Sequence, residues 1–534
     1  MGQAIEFVDT SIRDGDQCLW SATGLARDDV LEIAPVIDRV GYHALDFTAS
    51  TFIGVSVRFH RENPWRRLER CAAAMPNTRL SMITTGMRFI SWVPADEEVM
   101  ALAFRLVARN GIRRLQIADP TNDPDRIKRI AAVARAAGIE EIVIGLTYSI
   151  SPVHTVPYYA QRAAALADCE NLDRLYLKDP GGLVTPDIVR ELAQAFRAAA
   201  GERPVELHSH CTIGLAPFVY IEGVKAGFQV VHTGCGPLSR GTAQPEVEST
   251  ARNLEASGYS HALDLDAARE VAAHFERVAR AKGLPAGSPR EFDAVYYRHQ
   301  LPGGMVTTTQ RMLREIGREE LFDAVLEELP RVRAEMGWPI IVTPVSQFVA
   351  SQAAYNVIDG ERWKTISDEM VRYFLGHYGE PPAPVDPDVA ERVLSRPGVE
   401  KLRKLEPITL EGARERFGSR LSEEELLLRL TMPAEQVDAM LAAERERAAP
   451  GRRRGVGTDR RGRHGAAASA RAAAAPATAG RTSSAPTNAA VGAAAADGAR
   501  APVVTLLEEL AQRPAIREFA MVKGGDRVVW RRAG

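Results

Sequence analysis

Residues 205–212 read Val-Glu-Leu-His-Ser-His-Cys-Thr. The apolar start predicts a strand, and residues two apart on a strand point to one side, so His208 and His210 face the same way. Two imidazoles at the end of a strand suit a divalent metal with nitrogen and oxygen ligands. A pair of satisfied core histidines is the plainer alternative, and the His-x-His spacing and its placement favour the metal. Working outward, this run is the seventh of eight in the first 235 residues. The others are Ile5–Asp9, Ala44–Phe47, Arg79–Thr84, Arg114–Ile117, Glu141–Thr147, Arg174–Lys178 and Val230–Thr233, and the seventh is bounded as Val205–His210. Helix-like segments such as Asp28–Val40 and Asp187–Ala200 lie between them. Such alternation predicts an α/β fold, a (β/α)8 TIM barrel whose chemistry sits at the C-terminal strand ends. A doubly wound sheet would carry GxGxxG after its first strand, and none is found there.

Beyond the barrel the pattern changes. With 534 residues the chain is too long for one core. We expect a barrel over residues 1–264 and a helical domain over 265–447, with helices at Asp264–Lys282, Thr309–Glu315 and Glu423–Glu446. Residues 448–502, rich in Ala, Arg, Gly and Pro, bury too little to fold and read as a disordered linker. Residues 503–534 form a short docking tail: Val503–Gln512 is amphipathic, and Ile516–Val522 and Asp526–Arg531 flank Gly524-Gly525 like a hairpin.

Composition excludes some partners. A net charge of −2, with 45% hydrophobic and 25% charged residues, is that of an ordinary globular protein. It argues against a nucleic-acid or anionic-membrane partner. No apolar run approaches the roughly 20 residues that span a bilayer, and the start MGQAIEFVDTS lacks a signal-peptide pattern. Five cysteines, odd in number and without CxxC spacing, fit a reducing cytoplasm.

Three further segments could carry chemistry. In DTSIRDGDQ, Asp9 ends the first run and Asp14 sits in the turn after it, where a carboxylate can bind a metal at a barrel mouth. Taken alone, this would be an ordinary βα turn. Lys178 in LYLKDPGG ends the sixth run. Among apolar strand residues it can lose its proton and take up CO2 as a carbamate, an anionic metal ligand; an ion pair with Asp179 or Asp14 is an equal reading. Pro302-Gly303-Gly304 precedes Met305-Val306-Thr307. The glycines permit close backbone approach, while the plain reading is a helix-start loop capped by Thr.

Together these segments resemble the carboxyltransferase family of pyruvate carboxylase, the oxaloacetate decarboxylase alpha subunit and transcarboxylase. The resembling segments are DTSIRDGDQ, VSVRFHRENPWRRL, YLKDPGGLVTP, ELHSHCTIGLAP, GPLSRGTAQPEVE, YYRHQLPGGMVTTTQ and VTPVSQFVASQAAYNV, over about residues 5 to 440 in the family's order. The resemblance implies a barrel with a helical funnel. In it Asp14, His208, His210 and a carbamylated Lys178 would hold a divalent metal such as zinc or manganese. Gln17 would line the site, and Thr307 would relay a proton to or from biotin. It also implies a biotin carboxyl carrier protein and a biotin carboxylase subunit as partners, and a homodimer. We expect the biotin on a separate carrier. The chain has no (A/V)MKM sequence, and only Gly524 to Gly534 follow Met521-Val522-Lys523.

This chain departs from the family at several places. Cys211 stands where an acidic residue is usual, Asp16 where His is frequent, Gly54 in place of an aspartate, and Trp92 in place of a tyrosine. The arginine that grips the substrate carboxylate after the third strand is replaced by Thr85, with Arg88 three residues on as a substitute clamp. The pyruvate or oxaloacetate class still ranks first as acceptor. Metal-dependent Claisen-type synthases and lyases share RDG and HxH but carry glycine where this chain has Lys178. A barrel retained as a non-catalytic structural subunit is a third reading.

Overall fold

The computed structural model describes residues 4–86, 88–90, 95–404, 408–418, 420–448, 518–523 and 526–531. Eight parallel strands close in chain order: β1 (Glu6–Asp9), β2 (Ala44–Ala49), β3 (Arg79–Thr84), β4 (Ile112–Ala118), β5 (Glu141–Thr147), β6 (Arg174–Asp179), β7 (Val205–Ser209) and β8 (Val230–Thr233). β8 pairs back onto β1, with Phe7 opposite Val231 and Val8 opposite His232. Three strands have the bounds expected from sequence, and the others differ by a residue or two at an end. Nearly all their residues are buried because helices cover the outer face while side chains fill the inside.

Local signals set the covering helices. Thr185 caps Pro186–Ala200 by accepting from the Ile188 amide, with Pro186 in the first turn, where its missing N–H costs nothing. Asp264 does the same for Leu265–Lys282, and Gly283 ends that helix in the left-handed conformation that favours glycine. Gly145 serves packing. A Cβ there would lie 2.2 Å from the ring of Tyr176, so the strand can hold only glycine beside that ring.

Among the described residues, two large hydrophobic clusters make up most of the interior. The first surrounds the barrel, takes in Val271 and Phe275 of Leu265–Lys282, and recruits Leu427, Leu428, Val437 and Met440 from the far end of the described chain. The second, from Leu301 to Val399, belongs to the helical region. Gln300 and Arg333 tie that region to the loop after β5. Gln300 Nε2 donates to the Ile150 carbonyl at 2.8 Å, and Arg333 donates to the same carbonyl at 2.8 Å and to Ser149 Oγ at 2.7 Å.

Two expectations are corrected. The helix expected over Glu423–Glu446 is two helices, Glu423–Thr431 and Ala434–Ala448. Pro433 lacks an amide hydrogen and disfavours helical backbone before it, and Met432 is extended at φ −137°, ψ 154°. The helix expected from Thr309 begins at Gly303, with Pro302 as N-cap and no side-chain cap there, so Thr307 lies in its second turn.

The linker expected over 448–502 lies outside the described residues apart from Ala448, as does Val503–Gln512. In the tail, β9 (Glu518–Lys523) and β10 (Asp526–Arg531) pair as an antiparallel hairpin. Among the described residues, no helix is long and apolar enough to cross a membrane.

Candidate metal centre

Three ligand groups meet at the C-terminal mouth of the barrel. After β1 the chain makes a single π-helical turn, Ser11–Gly15, in which the Asp14 and Gly15 amides both donate to the Thr10 carbonyl at 2.9 Å. That turn aims Asp14 inward. His208 Nε2 and His210 Nε2 stand 3.1 Å apart, and Asp14 Oδ2 lies 3.2 and 3.3 Å from them. All three residues are buried, and their ligand atoms lie within 4.8 Å of one another. This donor set of one carboxylate oxygen and two imidazole nitrogens fits a divalent ion of the zinc or manganese kind.

Neighbouring groups orient these ligands. His210 Nδ1 donates to the Thr242 carbonyl at 2.6 Å, which turns Nε2 toward the centre. Arg13 donates to Asp14 Oδ1 at 2.8 Å and also pairs with Asp46. Burial alone would raise the Asp14 carboxyl, but Arg13 and the two imidazoles hold it well below the ordinary value. Burial pushes His208 well down, and the nearby Lys178 adds to this. His210 moves the other way, to about 10: burial opposes, but the carboxylate of Asp14 outweighs it. An ion entering here would displace that proton.

Lys178 pairs with His208 in the β6–β7 register, and its Nζ is 3.5 Å from His208 Nε2. Burial lowers its pKa, with Asp14 opposing. Asp179 does not serve as its partner. It accepts from the Leu183 and Val184 amides at 2.8 and 3.0 Å and from Ser209 Oγ at 2.7 Å. Among the described residues, Lys178 makes no ion pair with Asp179 or Asp14. Gly182, at φ +66°, lets this loop close on β7, since a Cβ there would sit 2.3 Å from the His210 carbonyl oxygen.

The other expected site residues are more scattered. Gln17 is half-buried on the short helix Asp16–Leu19, which packs against Gly303–Glu315, the helix bearing Thr307. The Thr307 side chain and Trp92 lie outside the described residues. Thr85 is half-buried just after β3. Arg88 is half-buried and within electrostatic reach of Tyr378 in the helical region; burial pushes it down to about 10, with the phenol opposing. Asp16 closes its own turn through the Gly24 and Leu25 amides at 3.0 and 3.4 Å. Burial pushes the Cys211 thiol up to about 12.

Gln244 is the principal residue that sequence reasoning missed. Its Nε2 lies 2.8 Å from Asp14 Oδ2, 3.2 Å from His208 Nε2 and 2.8 Å from His210 Nε2, while Thr10 Oγ1 is 2.7 Å from its Oε1. Cys18 was missed too: its Sγ is 3.9 Å from Asp14 Oδ1 and 3.8 Å from His210 Nδ1. The signal for Gln244 was positional, because the loop after the eighth strand must also open onto the mouth.

Residues 4–274 match the HMGL-like family and residues 296–491 match a conserved carboxylase domain. A pyruvate carboxylase subunit of Methanocaldococcus jannaschii is 34% identical over 391 residues, covering 73% of this chain and 68% of that protein. The 2-oxoglutarate carboxylase large subunit of Hydrogenobacter thermophilus is 30% identical over 452 residues, covering 83% and 69%. The carboxyl transferase domain of Rhizobium etli pyruvate carboxylase superposes with a TM-score of 0.75 at 23% identity over 83% of this chain and 78% of that one, a likeness of fold. The chain belongs to the carboxyltransferase family of biotin-dependent carboxylases, built on an HMGL-like barrel.

Proposed function

We propose that this carboxyltransferase moves a carboxyl group between carboxybiotin, borne on a separate carrier protein, and a small 2-keto acid of the pyruvate class. The observation that carries the reading is the buried Asp14, His208 and His210 set with Lys178 beside it. The relatives named as pyruvate and 2-oxoglutarate carboxylase subunits support the acceptor class and the need for partner subunits, a biotin carboxylase and its carrier. We further assign the protein to a homodimer in a reducing cytoplasm, where its five free cysteines would stay reduced.

Asp14, His208 and His210 would hold a divalent ion, zinc or manganese, with Lys178 as a fourth ligand once its amine has taken up CO2. The ion supplies Lewis acidity toward the enolate oxygen of the acceptor. Thr307 would hold the proton in transit between the acceptor's methyl carbon and the biotin ring nitrogen. Gln17 would orient the acceptor. Thr85 leaves the usual clamp position without a fork, so Arg88 becomes the candidate partner for the keto-acid carboxylate. Asp16–Leu19, packed on Gly303–Glu315, would help keep water from the mouth, where CO2 would otherwise escape.

The test is turnover by the metal-loaded chain with a carboxylated biotin carrier and a panel of pyruvate, 2-oxoglutarate, longer keto acids and acyl thioesters. Transfer to a short keto acid is expected. Transfer only to thioesters would overturn the acceptor class.

A further inference from the structure

His208 does not rest on the barrel wall alone. Its Nδ1 faces His232 Nδ1 at 3.1 Å, and His232 Nε2 lies 2.8 Å from Glu206 Oε2. Glu206 in turn accepts from Arg114 Nη2 at 2.6 Å and from Arg114 Nη1 at 3.1 Å. His208, His232, Glu206 and Arg114 are all 0–1% exposed. The Tyr176 ring stacks on His232, with centroids 5.6 Å apart and planes 16° from parallel, which fixes the plane of that imidazole.

Counting protons along this column leaves one arrangement that suits a metal. Arg114 is always charged, so Glu206 stays an acceptor. His232 must then carry its proton on Nε2 and donate to Glu206. Two Nδ1 atoms at 3.1 Å share one proton. With neutral His232 that proton belongs to His208 Nδ1, and His208 Nε2 is left as a lone pair facing Asp14 and His210. The reverse assignment sets the lone pair of His232 Nε2 against a buried carboxylate and points a His208 N–H at the ligand set.

We propose that His232, backed by Glu206, is a positioning residue that locks His208 in the Nδ1–H tautomer and so presents Nε2 to the divalent cation. The inference rests on the metal centre proposed above. It adds a device reaching from the N-terminal charge network to the C-terminal ligands. Second-layer partners of this kind fix ring orientation and raise ligand basicity, and losing one weakens metal binding about 10- to 100-fold.

The experiment titrates the full metal-free chain with Co2+, following visible absorption for coordination and a competing chelator for affinity. Wild type is expected to take about one ion, and His210→Ala serves as the control that loses the site. His232→Leu, checked for folding by circular dichroism melting, should bind Co2+ about 10- to 100-fold more weakly with a shifted visible band. His232→Asn can accept from His208 Nδ1–H and donate toward Glu206, so it should recover most of the affinity. A folded Leu variant that binds as well as wild type, or better, overturns the relay. An Asn variant as weak as Leu also overturns it, because packing alone would then explain the loss. A wild-type chain that takes up no Co2+ overturns the metal centre itself, and the relay with it.

Discussion

At the N-terminal end of the barrel, Arg114 donates to both Glu141 and Glu206, Arg174 pairs with Glu6 and Glu141, and His43 sits 3.0 Å from Glu141. At the C-terminal end, Asp14, His208, His210 and Lys178 crowd together around one point. Both ends use histidines, carboxylates and a cation. They differ in stoichiometry. Below, each carboxylate faces a guanidinium, so the charges close on themselves and plug the barrel. Above, the guanidinium of Arg13 is shared between Asp14 and Asp46, and among the described residues the buried Lys178 makes no ion pair. A matched set is structural, and a mismatched one needs something from outside.

Mutations at the two ends should therefore give opposite pairs of effects. Arg114→Met would leave Glu141 and Glu206 buried with weakened compensation and should cost about 3–5 kcal/mol, read as a large fall in the chemical-denaturation midpoint. Lys178→Gln removes a buried amine that has no carboxylate partner, so stability should change by less than about 1 kcal/mol while carboxyl transfer drops to background. Transfer near wild type in that variant would return Lys178 to a structural role.

Acid and base should separate the ends as well. Burial tends to raise the Glu141 carboxyl, but His43, Arg114 and Arg174 hold it at about 2, below its ordinary 4.5. A depressed folded pKa contributes stability that is present above pH 4.5 and lost as pH falls toward 2. For Asp9, at the C-terminal end of β1, burial raises the carboxyl to about 7 despite its hydrogen bonds from Ser11. Its contribution is complete below its ordinary 3.8 and is lost as pH rises through about 7. Denaturation across pH should show Glu141→Gln flattening the acid limb by up to about 3 kcal/mol. Asp9→Asn should flatten only the limb between pH 4 and 7. Identical limbs in wild type and both variants would remove the contrast.

The smallest expected effect concerns substrate. Arg88→Ala should raise KM for the keto acid about 10- to 100-fold, the worth of a charge-assisted hydrogen bond of about 1.5–3 kcal/mol, and leave kcat less affected. An unchanged KM would assign Arg88 to bracing the helical region against the barrel near Tyr378.

Much of this was legible beforehand because it is local. Each strand announces itself by its own apolar run, and parity along a strand sends His208 and His210 to one side whatever the rest of the chain does. Barrel closure then places Asp14 with them, since every βα loop opens at the same mouth. The helix break at Pro433 was equally local and was overlooked, because the apolar periodicity on both sides of it looked continuous.

What sequence by itself determined, then, was the eight-stranded order, the triad and the position of Lys178 at the end of β6. Only the tertiary structure decided which partner each of these residues takes. Asp179 adjoins Lys178 in sequence yet turns to the Leu183 and Val184 amides, and Lys178 faces His208 because β6 and β7 lie side by side. Gln244 enters the centre from 230 residues beyond Asp14, and His232 reaches His208 from the neighbouring strand. The reason is geometric. A strand's periodicity fixes the side on which each residue stands, but hydrogen bonds and ion pairs act over about 3–4 Å, and only closure of the barrel brings residues so far apart in the chain within that distance.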